Sequence, residues 1–277
     1  LSKIFKSKVC IWVLDIWPEI LKDLNIIKSK FLIKILDLII NFIYKQSDLI
    51  FVQSKSFQKI IKKKIKQKSK IYVLKSWTDT IKINKKENLI KKNSILYFGN
   101  MGYAQNLNKL IEAAKILIKK KLNFRLILIG GGRMYPFLKE KIESENLKKF
   151  IKIKNFMKPN QLGKYIQTSD FFFLSLRNGK GLNSTIPAKL QTYMKFSKPI
   201  IAASSGEVKN IINKAKCGFV SKPDDVNQLA NNFQKAFKLN SKQKSKYGKN
   251  ASLYSNKNFD KKKILKNFNE TFSKLDK

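Results

Sequence analysis

The chain has 277 residues, 43% apolar and 12% aromatic, a balance that excludes disorder and leaves room for two medium hydrophobic cores. It holds no His and only two Cys, Cys10 and Cys217, which excludes a zinc site or a Ser-His-Asp triad within it and predicts a reducing compartment. The formal charge of +41 comes from Lys spread along the whole length, with Arg only at Arg125, Arg133 and Arg177, so attraction to anionic surfaces is expected and a specific nucleic-acid partner is not.

Val9 to Leu14 is a short apolar strand, and Asp15-Ile16-Trp17-Pro18-Glu19 is its exit. Carboxylates there either meet a ligand at a strand end or cap the next helix, and both readings of Asp15 and Glu19 stand. Phe31 to Lys45 reads as a very apolar helix, buried or lying on a partner or membrane surface, and Lys34 and Asp37 interrupt it too soon for it to cross a bilayer. A strand at Asp48 to Val52, a helix at Ser54 to Ile65 and a strand at Lys70 to Leu74 complete a βαβ rhythm and hence a parallel sheet.

Between Lys75 and Asn93 the apolar period lapses, which places a boundary between a first domain over 1–80 and a second over 93–240. The rhythm restarts with a strand at Ile95 to Phe98, a turn at Gly99-Asn100-Met101-Gly102, and a helix carrying Leu107, Leu110, Ile111, Ala114, Leu117 and Ile118 on one face. Strands follow at Phe124 to Ile129, which ends in Gly130-Gly131-Gly132, at Phe150 to Ile153, at Phe171 to Leu176 and at Pro199 to Ala203. Helices are expected at Arg133 to Glu145, Asn160 to Gln167, from Ser184, at Gly206 to Asn213 and from Asp225. Over 241–277 two amphipathic helices, Lys242 to Tyr254 and Asp260 to Leu275, close the chain, the last expected to pack back on the first domain.

Such a series is a doubly wound Rossmann-type domain whose ligand crevice lies at the carboxyl ends of the strands. The turns at Gly99 and Gly130-Gly131 and the loop before Ser184 should converge there, and neither glycine turn fits the dinucleotide fingerprint, which disfavours NAD. Ser184 and Thr185 before Pro187 read as an N-cap, so free amides at the helix start, with Lys189 beside them, would hold phosphate; the plain alternative is an ordinary capped helix. Gly179 and Gly181 would let the preceding loop approach a ligand closely.

Four marks in order, Asp15-Ile16-Trp17-Pro18-Glu19, Gly99 to Leu107, Pro187-Ala188-Lys189-Leu190-Gln191 and Gly206-Glu207, resemble bacterial glycosyltransferase family 4 over nearly the whole chain. They look most like the surface-polysaccharide transferases that include the N-acetylfucosaminyl transferases. The resemblance implies the C-terminal three-fifths or so of an α/β enzyme of GT-B type, two Rossmann-like domains with parallel sheets, the first incomplete through N-terminal truncation. It implies a UDP-sugar donor in the second domain, a glycan or lipid-linked glycan acceptor in the first, and transfer with retention of configuration, without a metal or other cofactor. A basic surface and the Phe31 helix would place the enzyme in the cytoplasm, peripheral on the inner face of an anionic membrane.

Carried over residue by residue, Gly99, Asn100 and Gln105, with Gly130 and Gly131, approach the donor, and Asn155-Phe156-Met157 holds the base. Ser184, Thr185, Ile186 and Lys189 stabilise the departing diphosphate, and Asp15 and Glu207 are the candidate catalytic carboxylates. Two departures from the family pattern accompany these. Ser184 and Thr192 stand where many members have two Glu, and Asn100 and Gln105 stand where an Arg and a Lys clamp the diphosphate. The alternatives are a UDP-sugar epimerase of the same fold, against which the lack of His counts, and a non-catalytic nucleotide-sugar or polyanion-binding module.

Overall fold

The computed structural model describes residues 7–65, 71–77 and 92–273. In the first α/β unit, β1 (Cys10–Val13), α1 (Glu19–Asp23), α2 (Lys30–Gln46), β2 (Leu49–Val52), α3 (Lys55–Ile65) and β3 (Ile71–Val73) build a parallel sheet in the order β1-β2-β3. β2 reads Leu-Ile-Phe-Val and is buried throughout, as a central parallel strand covered on both faces must be. Ile50 and Val52 pack with Tyr44, Phe57 and Ile61 from α2 and α3. Leu49 and Phe51 face the other way.

The second unit runs β4 (Ser94–Phe98), α4 (Leu107–Lys119), β5 (Arg125–Ile129), α5 (Tyr135–Ser144), β6 (Ile151–Lys154), α6 (Pro159–Thr168) and β7 (Phe171–Ser175). It continues through α7 (Lys180–Ser184), α8 (Ala188–Lys195), β8 (Ile200–Ala203), α9 (Gly206–Ala215), β9 (Gly218–Ser221) and α10 (Val226–Phe237). Its six strands are parallel in the order β6-β5-β4-β7-β8-β9, with α4, α5 and α10 on one face and α6, α8 and α9 on the other. The order reverses between β4 and β7. Loops leaving those two strands part to opposite faces there, which opens the crevice of a doubly wound sheet.

α11 (Ser241–Asn258) lies on α8 and α9, and α12 (Lys261–Phe272) returns to the first sheet. There Ile264 packs with Leu49, Phe51 and Leu74, and the rings of Phe51 and Phe268 are 5.2 Å apart.

β9 was not expected: four residues beginning at Gly218 carry too short a pattern to read. Its glycine is needed because a Cβ would fall 1.7 Å from the Ile200 carbonyl of the neighbouring strand. α1 and α7, of five residues each, likewise escape a helical period, and they pack on one another across the two units. Asp23 accepts the Leu182 N–H at 2.9 Å. A Cβ at Gly179 would fall 2.2 Å from the Asp23 carboxyl and one at Gly181 2.7 Å from Ile20. These glycines therefore serve the close approach of two helices, which corrects their reading as a ligand-approach loop.

Candidate active site

At the switch point the loops leaving β4 and β5 are tied together by backbone bonds, from Gly99 N–H to Ile129 O at 2.9 Å and from Met101 N–H to Gly131 O at 2.6 Å. Gly130 has φ +150° and a Cβ on it would lie 2.0 Å from Gly99 O, so its glycine is demanded by loop packing. Gly131 differs: nothing lies within 4 Å of its Cβ position, so its backbone borders open space. Gln105 folds back, its Oε1 accepting the Gly102 N–H at 2.8 Å, which commits that oxygen to shaping the turn.

Lys189, the second residue of α8, reaches under this loop. Its ammonium donates to the Tyr97 hydroxyl and to Asn100 O at 3.1 Å and lies 4.3 Å from the centre of the Tyr97 ring. Tyr97 in turn donates to Asn100 O. A Cβ on Gly99, at φ +127°, would lie 3.1 Å from Lys189 Nζ, so the glycine leaves room for the amine. None of the described residues brings a carboxylate to it, and desolvation pushes its pKa down to about 7. A cation so placed is stabilised by an anion supplied from outside.

The start of α8 is not built as expected. Ser184 and Thr185 do not cap it: their hydroxyls donate backward, to Lys180 O at 2.7 Å and to Gly181 O at 3.0 Å, and so finish α7. Pro187 is the N-cap and offers no side-chain acceptor. The Ile186 N–H is taken by Gln53 Oε1 at 3.0 Å, and the amide nitrogen of Gln53 donates to Leu14 O. Ser54 Oγ donates to Ser184 O at 2.7 Å. The segment is thus a junction between the two units, and the first-turn amides of Ala188 and Lys189 have no acceptor within the helix.

Asp15 follows Leu14 directly and pairs with none of the described residues. Desolvation holds its carboxyl above the usual carboxylate range. Glu19 takes the structural alternative: it is buried and pairs with Lys64 at 3.0 Å. Glu207 lies beyond β8 and accepts from Ser56 Oγ at 2.6 Å and Ser56 N at 3.2 Å, at the first turn of α3. It borders a cavity of about 460 Å³ that Lys55, Lys59, Lys75, Lys214 and, from the junction before α8, Ile186 also line, and no residue of the Gly99 turn lines it. Asn155 is exposed at the end of β6, and the Phe156 ring beside it is 78% exposed.

Sequence reasoning passed over Gln53, Tyr97 and Arg177. Gln53 is the first polar residue after a wholly apolar strand, a signal that was present; Tyr97 is hidden in a buried strand; Arg177 lies two residues past β7. Among the described residues no helix is long and apolar enough to cross a membrane.

The family model of glycosyl transferases group 1 matches residues 79–254. The chain is 23% identical over 145 residues to 2-deoxystreptamine N-acetyl-D-glucosaminyltransferase of Niallia circulans, covering 52% of this chain and 36% of the relative. It is 26% identical over 137 residues to the amylovoran biosynthesis glycosyltransferase AmsK of Erwinia amylovora, covering 49% and 34%. The chain thus matches well under two thirds of either relative's length. Among solved structures, Anabaena Alr3699/HepE in complex with UDP and glucose superimposes with a TM-score of 0.75 at 18% identity, over 98% of this chain and 73% of that one. The two parallel sheets are those of the GT-B fold, and with the family match extending over more than half of its residues, the chain belongs to the glycosyl transferases group 1 family.

Proposed function

We propose that the protein is a retaining glycosyltransferase that moves a sugar from a UDP-sugar to a lipid-linked precursor of a surface glycan. The observation that carries this reading is Lys189, a desolvated amine without a carboxylate at the crevice of a doubly wound sheet. A nucleoside diphosphate gains negative charge as its sugar departs, and an ammonium fixed beforehand on the Tyr97 hydroxyl and Asn100 O stabilises that charge most in the transition state. Asp15, its proton affinity raised by desolvation, accepts the proton of the attacking acceptor hydroxyl. Attack on the face from which the diphosphate leaves keeps the configuration and needs no nucleophile from the chain. The exposed Phe156 offers a face for the base.

An N-acetylated deoxyhexosamine is the proposed sugar, in keeping with the motifs quoted above and with a relative that is an N-acetyl-D-glucosaminyltransferase. The lipid-linked acceptor fits α2, on which Phe31, Leu38 and Phe42 are 70%, 70% and 63% exposed, with Lys30, Lys34 and Lys45 also exposed. That combination suits insertion at an anionic membrane surface.

Calorimetric titration with UDP, ADP and GDP at moderate salt tests the donor site. Saturable binding that prefers UDP and is lost in Lys189→Ala is expected; equal, weak and salt-sensitive binding of all three would overturn it. Flotation with phosphatidylglycerol vesicles tests the membrane contact, which is expected to vanish in Leu38→Glu/Phe42→Glu. The absence of flotation for the unaltered chain would remove that part of the reading.

A further inference from the structure

We infer that Arg177 is a second diphosphate ligand, gripping from the β7 side what Lys189 grips from α8; the inference rests on the nucleotide-sugar reading above. Along β7, Phe171 and Phe173 pack into the α4 and α10 core while Phe172, Leu174 and Leu176 pack into the other. Arg177 continues the first set. Ser175, the residue before it in that set, donates its hydroxyl to Gln105 O, and the Arg177 N–H donates to Ala104 O at 2.8 Å. Its backbone is therefore anchored on the loop that leaves β4 at the switch point.

The side chain is the unusual part. Arg177 Nε is buried and has no hydrogen-bond acceptor, and no carboxylate among the described residues pairs with the guanidinium. A guanidinium N–H removed from water without an acceptor is costly and uncommon in folded proteins, and the fork it belongs to matches phosphate oxygens. The loop that would cradle a diphosphate brings no cation of its own from Gly99 to Asn106, and the Gln105 oxygen is spent on Gly102. Arg177 and Lys189 come to that loop from two other elements, Lys189 bonding it through its ammonium and Arg177 through its backbone N–H. Nε itself is shut off from solvent, so on this account it is the terminal nitrogens of the same half-buried fork, likewise without an acceptor among the described residues, that reach a phosphate oxygen of the donor.

The test is calorimetric titration of UDP and uridine into the full chain and into Arg177→Ala, Arg177→Lys and the charge-matched control Arg125→Ala, at one moderate salt concentration. Arg125 begins β5, at the opposite edge of the sheet. Arg177→Ala is expected to weaken UDP roughly tenfold or more, the loss of a charge-assisted bond, and uridine by less than about twofold. Lys at 177 should recover part of the UDP affinity, and Arg125→Ala should stay within about twofold of the unaltered chain. The ratio of UDP to uridine affinity reports phosphate contact and is insensitive to a general loosening of the cleft. If Arg177→Ala fails to fold, the same ratio in Arg177→Lys decides, and an unchanged ratio overturns the inference. Should Lys189→Ala lose UDP while the Arg177 variants keep it, Arg177 is no ligand and the nucleotide-sugar reading survives. If the unaltered chain binds neither compound, both fall.

Discussion

Lys64 and Lys189 are the same side chain drawn out of bulk water in two parts of the molecule, and the fold treats them oppositely. Lys64, on α3, meets Glu19 at 3.0 Å and Asp37 at 2.6 Å. Partial burial pushes the Asp37 carboxyl up, but the hydrogen bond and charge of Lys64 outweigh it and hold the group below the usual carboxylate range. Lys189 has a carbonyl, a phenol and the face of a ring, and desolvation alone pushes its pKa down to about 7. A lysine that its own fold neutralises is structure. One that its fold desolvates without an anion is open to a ligand, and the difference is measurable.

The largest expected effect separates the two directly. Lys64→Ala strands the buried Glu19 carboxylate, and loss of one partner of a buried pair costs about 3 kcal/mol or more, read as a fall in the urea midpoint. UDP affinity of the folded fraction should not change. Lys189→Ala is expected to do the reverse: no loss of stability, because a desolvated amine is removed, and UDP weakened roughly tenfold to a hundredfold. If Lys189→Ala destabilises the chain as Lys64→Ala does and UDP binding is unmoved, the contrast breaks and Lys189 is packing.

A smaller effect sharpens the same distinction between structure and site within one glycine run. Gly130→Ala drives a Cβ to 2.0 Å from Gly99 O at φ +150°, so a loss of about 2 kcal/mol or more in thermal or urea unfolding is expected. Gly131→Ala meets nothing within 4 Å, and its stability should stay within about 0.5 kcal/mol. Its consequence is expected instead in UDP titrations, as a loss of a few-fold. A Gly131 variant with unaltered UDP affinity would move the ligand away from that loop.

These contrasts also mark how far the sequence could be read. The parallel strands β4, β5 and β7 were legible because burial on both faces leaves continuous apolar runs, and the glycines after β4 and β5 announced the crevice. The start of α8 was not. A Ser or Thr before Pro can cap forward or bond backward to a carbonyl four residues earlier, and Ser184 and Thr185 bond backward. Whether the Ile186 amide is free depends on Gln53, 133 residues away in sequence. The place of Glu207 likewise turns on Ser56, a partner 151 residues distant. Long-range partners of single polar atoms leave no period behind them.

The last contrast is a pH profile, and Lys189 gives it two opposite slopes. In the empty protein its pKa lies at about 7, below the ordinary 10.5 of the unfolded chain. Between those values the unfolded state binds the additional proton, so the Lys189 contribution to stability rises with pH and is lost as pH falls through 7. A diphosphate beside the amine restores its charge, so in the same range UDP binding takes up a proton and affinity falls, by at most about tenfold per pH unit. Below pH 7 the amine is charged with or without ligand, and affinity should level until the phosphate itself protonates near about pH 6. Calorimetry in two buffers of different ionisation enthalpy at pH 8 reads the proton directly, and Lys189→Ala should abolish its uptake. Uptake that persists in that variant would assign the titration to another group, and Lys189 would lose the property that distinguishes it from Lys64.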